Sequence, residues 1–375
     1  MKIVLASLVL LAALFSASAP RQTAAPQESL LILSKTDQTL AIVDSHTLKI
    51  LARVPVGSDP HEVIASTDGR TAYVSNYGSG AYNTLAVVDL VGQKALPPID
   101  LGALRGPHGL TFVDGKVWFT AEAAKAIGRL DPATNKVDWI FGTGQNRTHM
   151  IYVLPDVQRI VTTNVSSATV SIIEKVAPGA GRGGPPPGAP QGPPPDAARR
   201  TNGAPPPQGR GNGRGPQGPP GGDWTQTVIP VGPGSEGFDV SPDHAEIWVA
   251  NAGDGTISVI NVAQKQVVAT INAGADGANR LKFTPDGKHV LVGARGDSHA
   301  GGALVVLDAA TRKVVKVLQI GRGAEGIVMA PNGSRAFVAC SPDNNVAVID
   351  LASLELVGRI DAGGNPDGLA WAIRR

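Results

Sequence analysis

Three histidines fall at one recurring place in this chain. His61, His108 and His149 each stand second in a short phrase that leads into an apolar run: Pro60-His61-Glu62-Val63, Pro107-His108-Gly109-Leu110 and Thr148-His149-Met150-Ile151. Four more phrases repeat the pattern with Glu236, Asn279, Glu325 and Asp367 in the second place. Three imidazoles can bind a divalent cation such as Zn²⁺ or Mg²⁺ and leave a position open for water or substrate. Such an ion lowers the pKa of bound water and polarises a carbonyl. Glu236 or Glu325 could then serve as a catalytic base or orient a ligand. Arg147, Arg280 and Arg295 lie close to the same phrases and could clamp a carboxylate, with Asn279 and Asp367 completing a binding ring. The same histidines could instead only pack and cap their turns, and sequence leaves both readings open.

These residues can meet only if the chain brings the phrases round a common axis. The second residues recur every 41 to 47 positions, apart from one step of 87 between His149 and Glu236. A repeat of that length with four short apolar runs is the signature of a propeller blade. In the unit after His108 the runs are 109–113, 116–120, 126–130 and 136–141. Asp68-Gly69, Asp114-Gly115 and Pro285-Asp286-Gly287 mark tight hairpins between them. A second ring of residues, Asp44, Asp89, Asp131, Glu174, Asn261, Asp308 and Asp350, ends a run in each unit. Uniform Asp, Glu or Asn there reads as turn capping. Seven units predict an all-β, seven-bladed propeller of four-stranded antiparallel blades over residues 29–375. The last unit has one run and the N-terminal stretch offers three, so strands from both chain ends should close the ring and remove two open sheet edges.

The runs Thr71–Asn76 (TAYVSN) and Glu246–Asn251 (EIWVAN), with repeated SPD and TPDG turns, resemble the YVTN-type repeat family of seven-bladed propellers. The stretch Pro107–Thr134, PHGLTFVDGKVWFTAEAAKAIGRLDPAT, is similar to one repeat of the virginiamycin B lyase family. The lyase resemblance implies a metal and His/Glu residues at the propeller mouth. Here Ala121 intervenes before Glu122 where that repeat reads WFTE, and one unit alone carries the signature.

The chain has 375 residues, 42% hydrophobic and 17% charged, with a formal net charge of +2. That supports a large core and implies no strong pull on nucleic acid. Lys2, the apolar run Ile3–Phe15 and small Ala17 and Ala19 read as a signal peptide over 1–19, cut somewhere between residues 17 and 25. Export to the periplasm or beyond follows, with no transmembrane span in the mature chain. A lone cysteine, Cys340, excludes an internal disulfide and reads as a packed thiol. Residues 176–223 hold 14 Pro and 14 Gly with no apolar periodicity, and read as a disordered insertion within the third blade. That segment carries five Arg and two Asp and suits a spacer or a weak contact with an anionic envelope surface. No phosphate loop, CxxC, haem-attachment or nucleophile-elbow motif occurs. Two functions remain: a monomeric exported propeller that binds a small molecule, a metal or an envelope protein at its mouth, and a metal-dependent lyase or lactone hydrolase using the His/Glu ring.

Overall fold

The computed structural model describes residues 27–176, 224–296 and 302–374. The signal-peptide segment and nearly all of the Pro/Gly-rich insertion lie outside the described residues. The strands begin with β1 (Gln27–Ser34), β2 (Thr39–Asp44) and β3 (Ile50–Pro55). Blade one follows as β4 (Pro60–Ala65), β5 (Thr71–Asn76), β6 (Thr84–Asp89) and β7 (Lys94–Asp100). Blade two is β8 (Pro107–Val113), β9 (Lys116–Ala121), β10 (Ala126–Asp131) and β11 (Lys136–Gly142). Blade three is β12 (Thr148–Val153), β13 (Arg159–Asn164), β14 (Thr169–Lys175) and β15 (Trp224–Pro230). Blade four is β16 (Ser235–Val240), β17 (Glu246–Asn251), β18 (Thr256–Asn261) and β19 (Gln266–Asn272). Blade five is β20 (Ala278–Phe283), β21 (His289–Ala294), β22 (Ala303–Asp308) and β23 (Lys313–Gln319). Blade six is β24 (Ala324–Met329), β25 (Arg335–Cys340), β26 (Asn345–Asp350) and β27 (Glu355–Ile360), and the chain ends in β28 (Pro366–Arg374).

Each blade is one four-stranded antiparallel sheet, and the seventh has the order β28-β1-β2-β3. The expected seven-bladed ring, closed by both chain ends, is therefore present. The first strand of each blade packs on its counterparts in the neighbouring blades, so seven inner strands surround the axis. The second and third strands carry the core. Their alternating residues, such as Val74, Phe119, Trp248 and Phe337, are fully buried between blades. The fourth strands alternate exposed and part-buried residues along the outer wall. Cys340 is buried in the core of blade six, and burial pushes its thiol up to about 11.

The Asp/Asn ring caps turns as its uniformity suggests. Asp44 accepts the Thr47 N–H at 2.7 Å, Asp308 that of Thr311 at 2.7 Å and Asn261 that of Gln264 at 2.8 Å. Glu174 differs: it pairs with Arg159 and Lys265 instead. Its strand β14 pairs directly with β15, Lys175 opposite Trp224.

Crowding at the axis explains a glycine pattern. A Cβ on Gly326 would sit 2.1 Å from the Asp367 carbonyl oxygen, and one on Gly109 would sit 2.5 Å from that of His149. These inner strands meet too closely for a side chain. Gly326→Ala should therefore cost about 1–3 kcal/mol of unfolding free energy by urea titration; an unchanged midpoint would contradict the packing. Replacing 176–223 by a two-residue turn is expected to leave the melting temperature within a few degrees, because the closing pair β14–β15 is retained and a long loop contributes little.

Candidate metal centre at the channel mouth

A left-handed residue precedes every inner strand: Asp59, Gly106, Arg147, Gly234, Gly277, Gly323 and Asn365 all have positive φ. Glycine is the relaxed choice there, and a long side chain in that conformation costs roughly 1 kcal/mol. Arg147, at φ 53°, carries that strain with its guanidinium over the mouth. Just beyond, the register of every inner strand slips past the second residue. The polar residues therefore lie at the second position of the inner strands themselves.

In the three His-bearing blades a hydroxyl on the second strand catches the backbone that the slip frees. Gly109 N–H donates to Thr120 Oγ1 at 2.9 Å, and Thr120 donates to the His149 carbonyl at 2.6 Å. Met150 N–H donates to Thr163 Oγ1 at 3.3 Å, and Thr163 donates to the Glu236 carbonyl at 2.8 Å. Glu62 N–H donates to Ser75. The matching residues of blades four to six are Ala250, Gly293 and Ala339. The hydroxyls thus hold the histidine strands and tie blade two to blade three and blade three to blade four.

His108, His149 and Glu122 converge, with one ligand atom of each within 4.8 Å of the others. All three are at least 96% buried. Glu122 comes from the loop after β9 and touches His149 Nδ1; Glu236 takes His149 Nε2 at 2.8 Å. The imidazole rings of His108 and His149 lie 3.9 Å apart between centroids. Tyr77, from the loop after β5, donates its hydroxyl to Glu122 and meets His108 edge-on. Arg147 reaches Glu122 at 3.4 Å and Glu236 at 3.7 Å. Among the described residues, His108 Nδ1 is buried and has no hydrogen-bond partner.

Electrostatics separate the two imidazoles. Burial, then the charges of His149 and His61, holds His108 well below its ordinary value, so it is neutral with a free lone pair. Burial would also lower His149, but the Glu236 charge and the hydrogen bonds its ring nitrogens make to both carboxylates outweigh it and raise the value. Glu236 and Glu122 are both depressed: burial opposes this, and His149 with the neighbouring cations or Tyr77 overcomes it.

His61 stands apart. Its ring centroid is 4.9 Å from that of His108, yet its nitrogens face Asp59 at 3.1 Å and Asp367 at 3.4 Å. Asp367 is also held by Lys35 at 2.7 Å. Arg280 crosses the axis to Glu62 at 2.7 Å, with Glu236 at 3.9 Å and His149 Nε2 at 3.4 Å. Arg295 pairs with Glu325 at 3.4 Å, on the far side of the mouth from His149. Asn279 is buried beside them and its Nδ2 has no partner among the described residues. So Glu236, Arg147 and Arg280 join the His149 cluster, while Glu325, Arg295 and Asp367 form a second group with His61. Sequence reasoning gave no role to Glu62, Tyr77 or Lys35, and treated Glu122 as a departure from a motif. Position offered the one signal: Glu62 directly follows His61.

Other polar residues near the strand ends are structural. Asn76 donates to Val56 and Ser58 carbonyls, and Asn164 and Asn251 donate to hydroxyls in their own blades. His46 is exposed, and His244 touches the Tyr152 hydroxyl on the opposite face.

No protein-family model matches the chain, and no curated protein is similar to it. Solved structures do resemble it. A functionally unknown protein from Desulfotomaculum acetoxidans superposes with a TM-score of 0.65 at 13% identity, over 92% of this chain and 98% of its own. A Bacteroides fragilis protein provisionally named a 6-phosphogluconolactonase gives 0.64 at 16% identity, over 94% and 99%. A dihydro-heme d1 dehydrogenase gives 0.58 at 15%, over 94% and 77%. At these identities the likeness is one of fold, and it places the chain among β-propellers.

Burial and the adjacent Asp367 charge push Glu325 up to about 7, from an ordinary 4.5. Asp367 keeps the charge of the pair because Lys35, His61 and Arg280 favour it against the cost of burial. A raised folded-state value means stability present below pH 4.5 and lost as pH rises through 7. Glu325→Gln should thus gain stability over the wild type by roughly 1–3 kcal/mol at pH 8 compared with pH 4.5. Parallel unfolding curves of the two proteins at both pH values would refute the raised Glu325 value.

Proposed function

We propose that this is an exported propeller that binds a divalent cation at His108, Glu122 and His149, and through it a small oxygen-bearing molecule. Convergence of those three buried side chains, one imidazole nitrogen left unpartnered, supports the reading most strongly. Two imidazoles and a carboxylate are the donor set of an open Zn²⁺ site, whereas Mg²⁺ prefers oxygen ligands throughout. A cation would displace the proton held between His149 Nδ1 and Glu122, and Glu236 on Nε2 would then hold the tautomer whose Nδ1 faces the ion. Arg147, 40% exposed, is placed to meet an anionic or carbonyl oxygen arriving at the mouth.

A second reading, a metal-dependent lyase or lactone hydrolase, is favoured by one observation. Glu122 belongs to the WFTAE stretch, and it enters the cluster despite the extra alanine. A bound Zn²⁺ would supply Lewis acidity and an activated water. The Glu236 carboxylate and the Tyr77 hydroxyl would then be the proton-handling groups within reach.

Purified protein equilibrated with Zn²⁺ and desalted should retain about one ion per chain by elemental analysis. His108→Ala, Glu122→Gln and His149→Ala should each weaken Zn²⁺ at least about tenfold, and His61→Ala should leave it within a factor of about three. Equal loss in His61→Ala would restore the three-histidine set; no retained zinc in the wild type would sink the reading. Metal-dependent opening of a lactone panel, lost in Glu236→Gln with zinc retained, would select the enzyme.

A further inference from the structure

The Arg280–Glu62 pair divides the central channel. Above it lies the His149 cluster; below it a cavity of about 360 Å³ opens towards the opposite face. Its walls are the later residues of the inner strands, among them Ile64, Thr111, Tyr152, Val328, Leu369 and Trp371. The mouth cluster leaves this space unused.

The charged groups of the cavity cancel in pairs. Glu62 and Arg280 form its floor, and Asp239 and Lys282, 3.2 Å apart, stand at its rim. A net-neutral, low-dielectric pocket disfavours an uncompensated ion, because burying one costs several kcal/mol. The floor still offers hydrogen bonds. Arg280 commits Nη2 to Glu62 and Nη1 to His149 and Glu236, while its Nε has no partner among the described residues. Glu62 uses Oε1 on Arg280, and its Oε2 has no partner among the described residues. One donor and one acceptor thus lie at the base of an apolar shaft.

We infer that this lower cavity is a second binding site, for a neutral and mainly apolar ring compound with one hydroxyl or carbonyl at its buried end. The volume falls within the range of small-molecule pockets. The apolar walls supply the affinity, and the Arg280–Glu62 floor reads the oxygen. Because Arg280 also touches His149 and Glu236, a ligand here contacts the underside of the mouth cluster without entering it.

The test uses 2-naphthol, neutral at pH 7, and naphthalene-2-sulfonate, its anionic counterpart, in equilibrium dialysis against the full chain. Saturable one-to-one binding of naphthol is expected, at least about tenfold tighter than the sulfonate. Thr111→Trp and Val328→Phe, which fill the shaft from opposite walls, should each weaken naphthol about tenfold or more while zinc retention stays unchanged. Circular dichroism identifies a variant that has failed to fold, and the other then carries the test. Naphthol binding unaltered in a folded filling variant would overturn the site, as would no saturable binding in the wild type. Preference for the sulfonate would overturn the neutral class. Loss of zinc from the mouth alone leaves this outcome untouched, so the two sites fail separately.

Discussion

Seven strands must pass side by side round one axis, and the space there is the constraint from which the rest follows. Where one inner strand presses on the next, the third residue is glycine, since a Cβ would overlap the neighbouring carbonyl. Glu62, Met150 and Arg280 occupy that position in the other three blades, where the inner strands pack less closely on the next. The register slip beside it turns the second residue inward. Crowding, slip and left-handed entry together gather residues from seven distant parts of the chain. Close packing makes such a mouth rigid, which is what a ligand set requires.

The mouth that results is full of charge, and charge is costly to bury. Glu62, Glu122, Glu236 and Asp367 face Arg280, Arg147, Lys35 and His149. Replacing such a network by apolar residues is often neutral or stabilising, so its presence is weak support for a purely structural role. His149 does serve structure, clasped between two carboxylates. His108 does not fit that account: it is neutral, buried and short of a partner at Nδ1. A neutral imidazole with an uncompensated nitrogen, in a side chain that converges with a carboxylate and a second imidazole, fits a cation better than it fits packing.

The blade count, the closure by both termini and the capping ring were readable because each rests on a periodic feature of the sequence. Asp44 and Asp308 could be assigned to turns from repetition alone; the same assignment failed at Glu174, whose carboxylate pairs with Arg159 and with Lys265 of the neighbouring blade. The mouth was readable only as a set of candidates. Periodicity told that His61, His108 and His149 share a level, but not that Asp59 and Asp367 claim the nitrogens of the first. Glu122 enters from a loop, outside the periodic position, and so does Tyr77. Contacts across the axis, such as Arg280 with Glu62, depend on side-chain length and direction, which spacing does not encode.

Anomalous diffraction from zinc-soaked crystals, collected on both sides of the zinc edge, tests the central claim most directly. One peak bounded by His108, Glu122 and His149, about 2.0–2.2 Å from each ligand atom, is the expected result. A peak instead between His61 and Asp367, or none within the channel, would contradict the account.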